Sequence, residues 1–252
     1  MSQGEQPSGG RRAWLAALAP PARAAGLLAR LARAYARAVG PERGLKFALI
    51  LDNLVYGLAG ALSEAHGGGQ HSKRRHLDYA GFFAARLAPG ERVLDLGCGD
   101  GALARELAER AGAVVVGVDL DPRRVEQAAA RHPHSRVTYH LGDVRGELPP
   151  GPFHTVVLSN VLEHLPGRVE FLRELMARVR PARLLLRVPL FERDWRVPLK
   201  EELGVEWRLD LTHEVEYTQE SFAGELAAAG LTVSHQEVRW GEIWAEAVPR
   251  DA

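Results

Sequence analysis

Residues 93–101 read VLDLGCGDG. Val93, Leu94 and Leu96 suit a short buried strand, and Gly97, Gly99 and Gly101 suit a turn whose backbone approaches a ligand with no Cβ in the way. A helix is predicted to follow from Ala102 to Arg110, ending near Gly112. Its first turn presents free N–H groups to a carboxylate or phosphate. Strand, glycine turn and helix in this order make the first unit of an alternating α/β fold.

Outward from that stretch the alternation repeats. Val114 to Val118, Val137 to Leu141, His154 to Ser159 and Leu184 to Val188 read as further strands. Asp121-Pro122 opens one helix, Pro166 begins another through Val179, and Pro181 stops it. Thr218 caps a helix with Phe222 and Leu226 on one face, Gly230 ends it, and Leu231 to Val238 and Glu242 to Val248 form the last strands. The predicted fold class is α/β, a doubly wound, mostly parallel sheet with helices on both faces and ligands at the carboxyl ends of its strands. Acids stand at those ends. Asp119 closes the second strand, where a carboxylate accepts from both ribose hydroxyls; Asp143 closes the third, within reach of an adenine amino group. Gly97-x-Gly99-x-x-Ala102 also satisfies the relaxed dinucleotide fingerprint, so an NAD-binding oxidoreductase remains an alternative.

VLDLGCGDG (93–101), VVVGVDLDP (114–122), LGDV (141–144) and FHTVVLSNVLEHL (153–165) together resemble the class I S-adenosylmethionine-dependent methyltransferases, over roughly residues 78 to 248. HEVEYTQESF (213–222) and AAAGL (227–231) are similar to the tail of that family's small-molecule, methyltransferase type 11-like branch. The resemblance implies a seven-stranded Rossmann-like sheet of order 3-2-1-4-5-7-6, its seventh strand antiparallel, and S-adenosyl-L-methionine as cofactor. It implies that Asp95, Gly97, Cys98, Gly99 and Gly101 hold the cofactor's methionine part and that Asp119 binds the ribose. Leu120 would flank the adenine, Asp143 and Val144 read its edge, and Asn160 lie beside the sulfonium. Cys98 fits the tight turn as a small filler; no base stands by to make it a nucleophile.

Methyl transfer to a hydroxyl or a protonated amine needs a group that takes the proton. The candidate catalytic residues are His164, His213, Glu163 and Tyr217, with an imidazole as the base because it titrates near neutrality. Small-RNA 2′-O-methyltransferases and certain quinone O-methyltransferases carry Glu-x-x-Glu-His and a later His. Here Asn160 replaces the first carboxylate and is a poorer ligand, so no metal site is predicted. His66, His71 and His76 recur every five residues, a spacing that does not stack on one helix face.

Residues 190–212, with Trp195 and Trp207 beside Arg193, Arg196, Arg208 and Lys200, are too long for a tight connection and are predicted to form a lid over a small-molecule acceptor. The segment resembles those of glycan and lipopolysaccharide methyltransferases, which implies an acidic sugar, nucleotide-sugar or lipid-linked glycan as acceptor. Trp240 and Trp244 are expected in the core.

The 252 residues carry 32 Lys+Arg against 32 Asp+Glu. That balance gives no footprint for nucleic acid. Ser159-Asn160-Val161-Leu162 stands where DNA amino-methyltransferases carry Asn/Asp-Pro-Pro-Tyr/Phe; a nucleic-acid or protein methyltransferase is the other alternative. Cys98 is the only cysteine, as a reducing compartment permits, and a cytoplasmic location is expected. Residues 1–12 are expected to be a disordered tail, 13–68 a helical extension and 69–252 the catalytic domain, with a helix around Leu77 to Leu87. Arg11-Arg12 lacks the apolar run of an export signal. The Ala/Arg helix at 22–39 is expected to pack on the domain with a solvated basic face, the alternative being weak membrane-surface contact. Residues 44–62 are expected to be a buried helix, because Lys46, Asp52 and Asn53 interrupt the apolar run.

Overall fold

The structure, a computed structural model, describes residues 21–68, 72–146 and 148–250. The expected tail at 1–12, Arg11-Arg12 and His71 lie outside the described residues. The chain divides into two compact units, Met1–Gly57 and Leu58–Ala252.

In the larger unit the strands are β1 (Arg92–Leu96), β2 (Val114–Asp119), β3 (Val137–Leu141), β4 (Thr155–Ser159), β5 (Arg183–Pro189), β6 (Leu231–Arg239) and β7 (Glu242–Pro249). They form one sheet of order β3-β2-β1-β4-β5-β7-β6, as expected. β1 pairs in parallel with β2 and β4, and β7 runs antiparallel to both β5 and β6. The central strands are apolar on both faces because both faces are covered. Leu94, Leu96, Val116, Val156, Leu158, Leu184 and Leu186 enter one core cluster, while Val93, Val115, Val157, Leu185 and Trp244 enter the other. That is the period of two, with successive side chains on opposite faces.

The crossover helices are α5 (Ala102–Ala111), α6 (Pro122–Arg131), α7 (Arg168–Val179) and α9 (Gln219–Ala228); α8 (Arg196–Glu202) lies in the long segment after β5. Their ends follow local chemistry. The Asp121 side chain accepts from Arg123 N, Gly112 ends α5 at φ 67°, and Thr218 and Ser221 form a capping box. The helix expected at 77–87 is two shorter ones, α3 (Ser72–Leu77) and α4 (Tyr79–Ala84). The break falls at Asp78, whose left-handed backbone lets its side chain cap Gly81 N. Only one of the two late tryptophans is in the core. Trp244 is fully buried in β7, whereas Trp240 occupies the β6–β7 turn at φ 52° and is 79% exposed.

Upstream, α1 (Pro21–Val39) and α2 (Pro41–His66) depart from expectation. α1 is exposed along nearly its whole length, Leu27, Leu28 and Leu31 included. α2 is not a buried helix: only Gly44 and Leu49 are buried, and Ile50, Leu54, Val55, Leu58 and Leu62 are exposed. The unit boundary falls inside α2 rather than at the Gly67-Gly68 turn. The apolar pattern that signals a core-facing helix is equally the pattern of a helix that docks on something outside the chain.

Candidate active site

The turn after β1 is built as the glycines require. Gly97, Gly99 and Gly101 have φ of 71°, 57° and 79°. A Cβ on Gly101 would lie 2.6 Å from both Ala128 Cβ and Tyr139 Cε1, whereas one on Gly99 would meet nothing within 4 Å. Gly101 is thus required by packing as well as by its backbone, and Gly99 by its left-handed φ, with open space beside it. Gly97 N and Cys98 N both donate to Val118 O (2.7 and 3.0 Å), and Gly99 N donates to Asp119 Oδ2 (2.8 Å). Asp119 Oδ1 accepts from Asp121 N (3.0 Å). Two backbone donors hold this carboxylate in place and leave it acceptor capacity for hydroxyl groups.

Asp95 is almost completely buried, and its Oδ2 has no hydrogen-bond partner among the described residues. Burial, with a smaller contribution from the Asp119 charge, pushes its carboxyl up to about 7. An unpartnered buried carboxylate beside a glycine cradle suits a cationic ligand, and S-adenosylmethionine carries an ammonium and a sulfonium. The residues therefore fit that cofactor. Cys98 takes part through its backbone. Its sulfur sits where a Cβ on Gly117 would be 2.8 Å away, so it packs on the sheet, and burial raises its pKa. Leu120 and Asp143 are exposed beside this turn, Asp143 accepting from Arg145 N (2.9 Å), while Val144 packs against the core.

A helix around 77–87 is expected from the sequence, but not the contact that α3 and α4 make with the glycine turn. Arg74 donates to Tyr79 Oη (2.9 Å) and reaches Asp100 of the turn (3.4 Å), and the Arg187 guanidinium lies 3.9 Å from the centroid of the Tyr79 ring. Nothing in their spacing signals this contact, since the two helices are too short for a periodic pattern.

The second half of the site starts at Asn160, which takes a left-handed φ of 57° after β4. Its Nδ2 donates to Glu163 Oε1 (2.7 Å), while Glu163 Oε2 is buried and unpartnered among the described residues. Burial pushes Glu163 up to about 7, against the stabilising Asn160 bond. Glu214 N donates to Glu163 O (2.7 Å), which draws the 212–217 segment onto the short 3₁₀ turn Leu162–His164. His164 Nδ1 meets Thr212 Oγ1 (2.9 Å), and the rings of His164 and His213 are 4.7 Å apart, edge to face. Burial and the neighbouring His213 lower His164, which favours its neutral imidazole. One donor atom from each of Glu163, His164 and His213 lies within 4.8 Å of the other two, a two-histidine, one-carboxylate grouping that the sequence reading had set aside as a metal site.

The structure assigns Tyr217 differently from the sequence. Its hydroxyl donates to Glu225 Oε1 (2.5 Å), Arg168 also binds Glu225, and the ring packs on Phe222 in the core. Burial first, then Glu225, raises its pKa, so Tyr217 is a packing residue with its proton committed elsewhere.

Glu216 is the residue that sequence reading missed. It is buried, its Oε1 meets His213 Nδ1 (3.1 Å) and accepts from Leu209 N (2.5 Å), and its Oε2 accepts from Arg193. It thereby orients the His213 ring and ties down the 190–212 segment, which closes at its base where Phe191 N donates to Tyr217 O (2.7 Å). Within that segment Phe191 and Trp207 pack edge to face at 5.1 Å, while Trp195 and Leu211 are exposed. The arginines are engaged: Arg193 by Glu216, Arg196 by Asp194, Arg208 by Glu206.

Sheet order, glycine turn and terminal carboxylates together define the class I methyltransferase fold. The dinucleotide alternative loses its footing, because the doubly wound dehydrogenase sheet lacks the antiparallel strand inserted beside β5. The chain belongs to the methyltransferase domain family, whose pattern matches residues 70–236. It is 30% identical over 155 residues to 2-methyl-6-phytyl-1,4-hydroquinone methyltransferase from Synechocystis, covering 58% of this chain and 48% of that protein. It is 40% identical over 103 residues to the mitochondrial ubiquinone biosynthesis O-methyltransferase of Schizosaccharomyces pombe, covering 38% of this chain and 37% of that protein. The chain therefore spans half or less of the length of these relatives. In fold it is similar to a Synechocystis magnesium protoporphyrin IX methyltransferase with bound S-adenosylhomocysteine: TM-score 0.56, 22% identity, 70% of this chain and 84% of that one.

Proposed function

We propose that the protein transfers a methyl group from S-adenosylmethionine to a hydroxyl of a small aromatic acceptor, with the Glu163–His164–His213 cluster taking the proton. The observation that carries this reading is the cluster's link to the cofactor half: Asn160 sits at the end of β4 beside β1 and hydrogen-bonds Glu163 directly. When bound, S-adenosylmethionine supplies an electrophilic methyl on a sulfonium. Asp119 orients its ribose and Asp95 meets its positive charge. A hydroxyl held against the cluster loses its proton to a neutral imidazole or to Glu163, which near pH 7 is poised between its two forms. Glu216 keeps His213 in one ring orientation throughout.

Two features favour an aromatic over a sugar acceptor. The apolar Phe191–Trp207 pair and exposed Trp195 and Leu211 line the 190–212 segment, which we take as the lid. Its arginines are held by carboxylates and so are poorly placed to clamp an acidic glycan. The names of the relatives point to hydroquinone and ubiquinone-precursor chemistry. The test is methyl-labelled cofactor offered with dihydroxyarenes, with and without a prenyl chain, beside uronic acids and nucleotide-sugars. Label in an aromatic ether supports the reading, and label in the sugars alone returns the acceptor to the glycan class.

A second reading is favoured by the donor grouping: Glu163, His164 and His213 would hold a divalent cation that orients and acidifies the acceptor hydroxyl. Metal analysis of the purified protein, and activity before and after chelation, separates it from the metal-free proton transfer.

A further inference from the structure

α1 and α2 form a hairpin turning at Gly40 (φ 86°), closed where the Tyr35 and Phe47 rings meet at 4.5 Å. Gly44 allows this approach, since a Cβ there would lie 2.9 Å from Ala36 Cβ. Leu49 is the other buried residue of α2. Along α2, Phe47, Ile50, Leu51, Leu54, Leu58 and Leu62 fall on one side of the helix, and Lys46, Asp52, Asn53, Ser63 and Glu64 fall on the other, together with Leu45, Leu49 and Tyr56. Leu54 is 64% exposed, and Ile50, Leu58 and Leu62 are exposed with it. In α1, Leu27, Leu28 and Leu31 make an exposed apolar stripe.

We infer that this hairpin docks in the plane of an anionic lipid surface, with the apolar side of α2 sunk among the acyl chains. Charge selects lipid over another occupant. From residue 21 to 66 the cations are Arg23, Arg30, Arg33, Arg37, Arg43 and Lys46, and the acids are Glu42, Asp52 and Glu64, so the excess charge is positive and lies in α1 and the first turns of α2. Such a segment is drawn to negatively charged headgroups while its apolar side enters the acyl boundary. α2 is long and apolar enough to cross a bilayer. A crossing would bury Asp52 and Asn53 near its midpoint, whereas an in-plane helix keeps them at the water side with Lys46 and Glu64. The docking needs no particular acceptor.

The test is co-sedimentation of the full chain with phosphatidylcholine vesicles, with and without phosphatidylglycerol, at low and high salt. The expected result is binding to the anionic vesicles that weakens with salt. Leu54→Glu with Leu58→Glu should lower the partition coefficient by at least about tenfold, since two charged groups must leave water. Arg30→Glu with Arg33→Glu should abolish the preference for phosphatidylglycerol. S-adenosylmethionine binding, retained in both variants, shows that they fold. Equal pelleting of wild type and variants, or no binding to any vesicle, overturns the inference. Resistance to alkaline carbonate extraction would overturn the in-plane placement in favour of a span. A dimer in solution that dissociates on Leu54→Glu would assign the face to a second copy instead.

Discussion

The two halves of the site are made differently. The cofactor half, from β1 to β3, is built of backbone: three left-handed glycines, a carboxylate held by main-chain N–H groups, and one buried acid whose Oδ2 has no partner among the described residues. The acceptor half, beyond β4, is built of side chains that hold one another: Asn160 on Glu163, Thr212 on His164, Glu216 on His213 and Arg193. A turn set by left-handed glycines tolerates little change at those positions. A side-chain network can be rebuilt around different acceptors while the fold stays the same.

The sharpest way to break this division is Glu163→Gln. Amide replaces acid at nearly constant volume, and the Asn160 contact can persist. Turnover should fall about 10²–10⁴-fold, the usual worth of a positioned proton acceptor, while cofactor affinity stays put. Steady-state rates beside calorimetry with S-adenosylmethionine decide the matter; a matching loss of affinity would merge the two halves. Asp119→Ala should do the reverse. Removing the carboxylate leaves ribose hydroxyls and Gly99 N short of a partner, at about 1–3 kcal/mol, or about 5–150-fold in Kd. Unchanged affinity would take Asp119 out of the site.

The same division governs how much was legible in the sequence. VLDLGCGDG and the acids at Asp119 and Asp143 are local signals: strand, turn and helix follow within a few residues, and the sheet order came with the resemblance. The acceptor half joins residues far apart, as with His164 and Thr212, 48 positions distant, so no spacing rule reaches it. Glu216 stood in plain view in HEVEYTQESF, but its role exists only once Arg193, Leu209 and His213 are folded around it. Tyr217 misled for the opposite reason. A tyrosine in a catalytic-looking motif says nothing about which way its hydroxyl turns, and here it turns to Glu225. α1 was legible as an Ala/Arg helix with a basic face and 44–62 as an apolar helix, but neither as exposed, because an apolar pattern does not name what covers it.

The smallest expected effect tests the buried acid. Asp95, pushed up to about 7, is largely protonated below neutrality in the free protein. A cationic ligand favours its ionised form, so binding below pH 7 must expel the proton. Affinity for S-adenosylmethionine should therefore fall by about tenfold for each pH unit below 7 and level off above it. Glu163 titrates in the same range, so the profile alone does not assign the group. Asp95→Asn should flatten the profile, whereas Glu163→Gln should leave it sloping. Stability supplies an independent sign. A carboxyl raised from 3.8 to about 7 by burial binds more protons folded than unfolded between those values, so it costs stability progressively as pH climbs through that window, and the full cost remains above it. Asp95→Asn should accordingly raise Tm at pH 8 and change it little at pH 4. A variant that melts higher and binds the cofactor more weakly would show that the buried charge is kept for the ligand, against the interest of the fold.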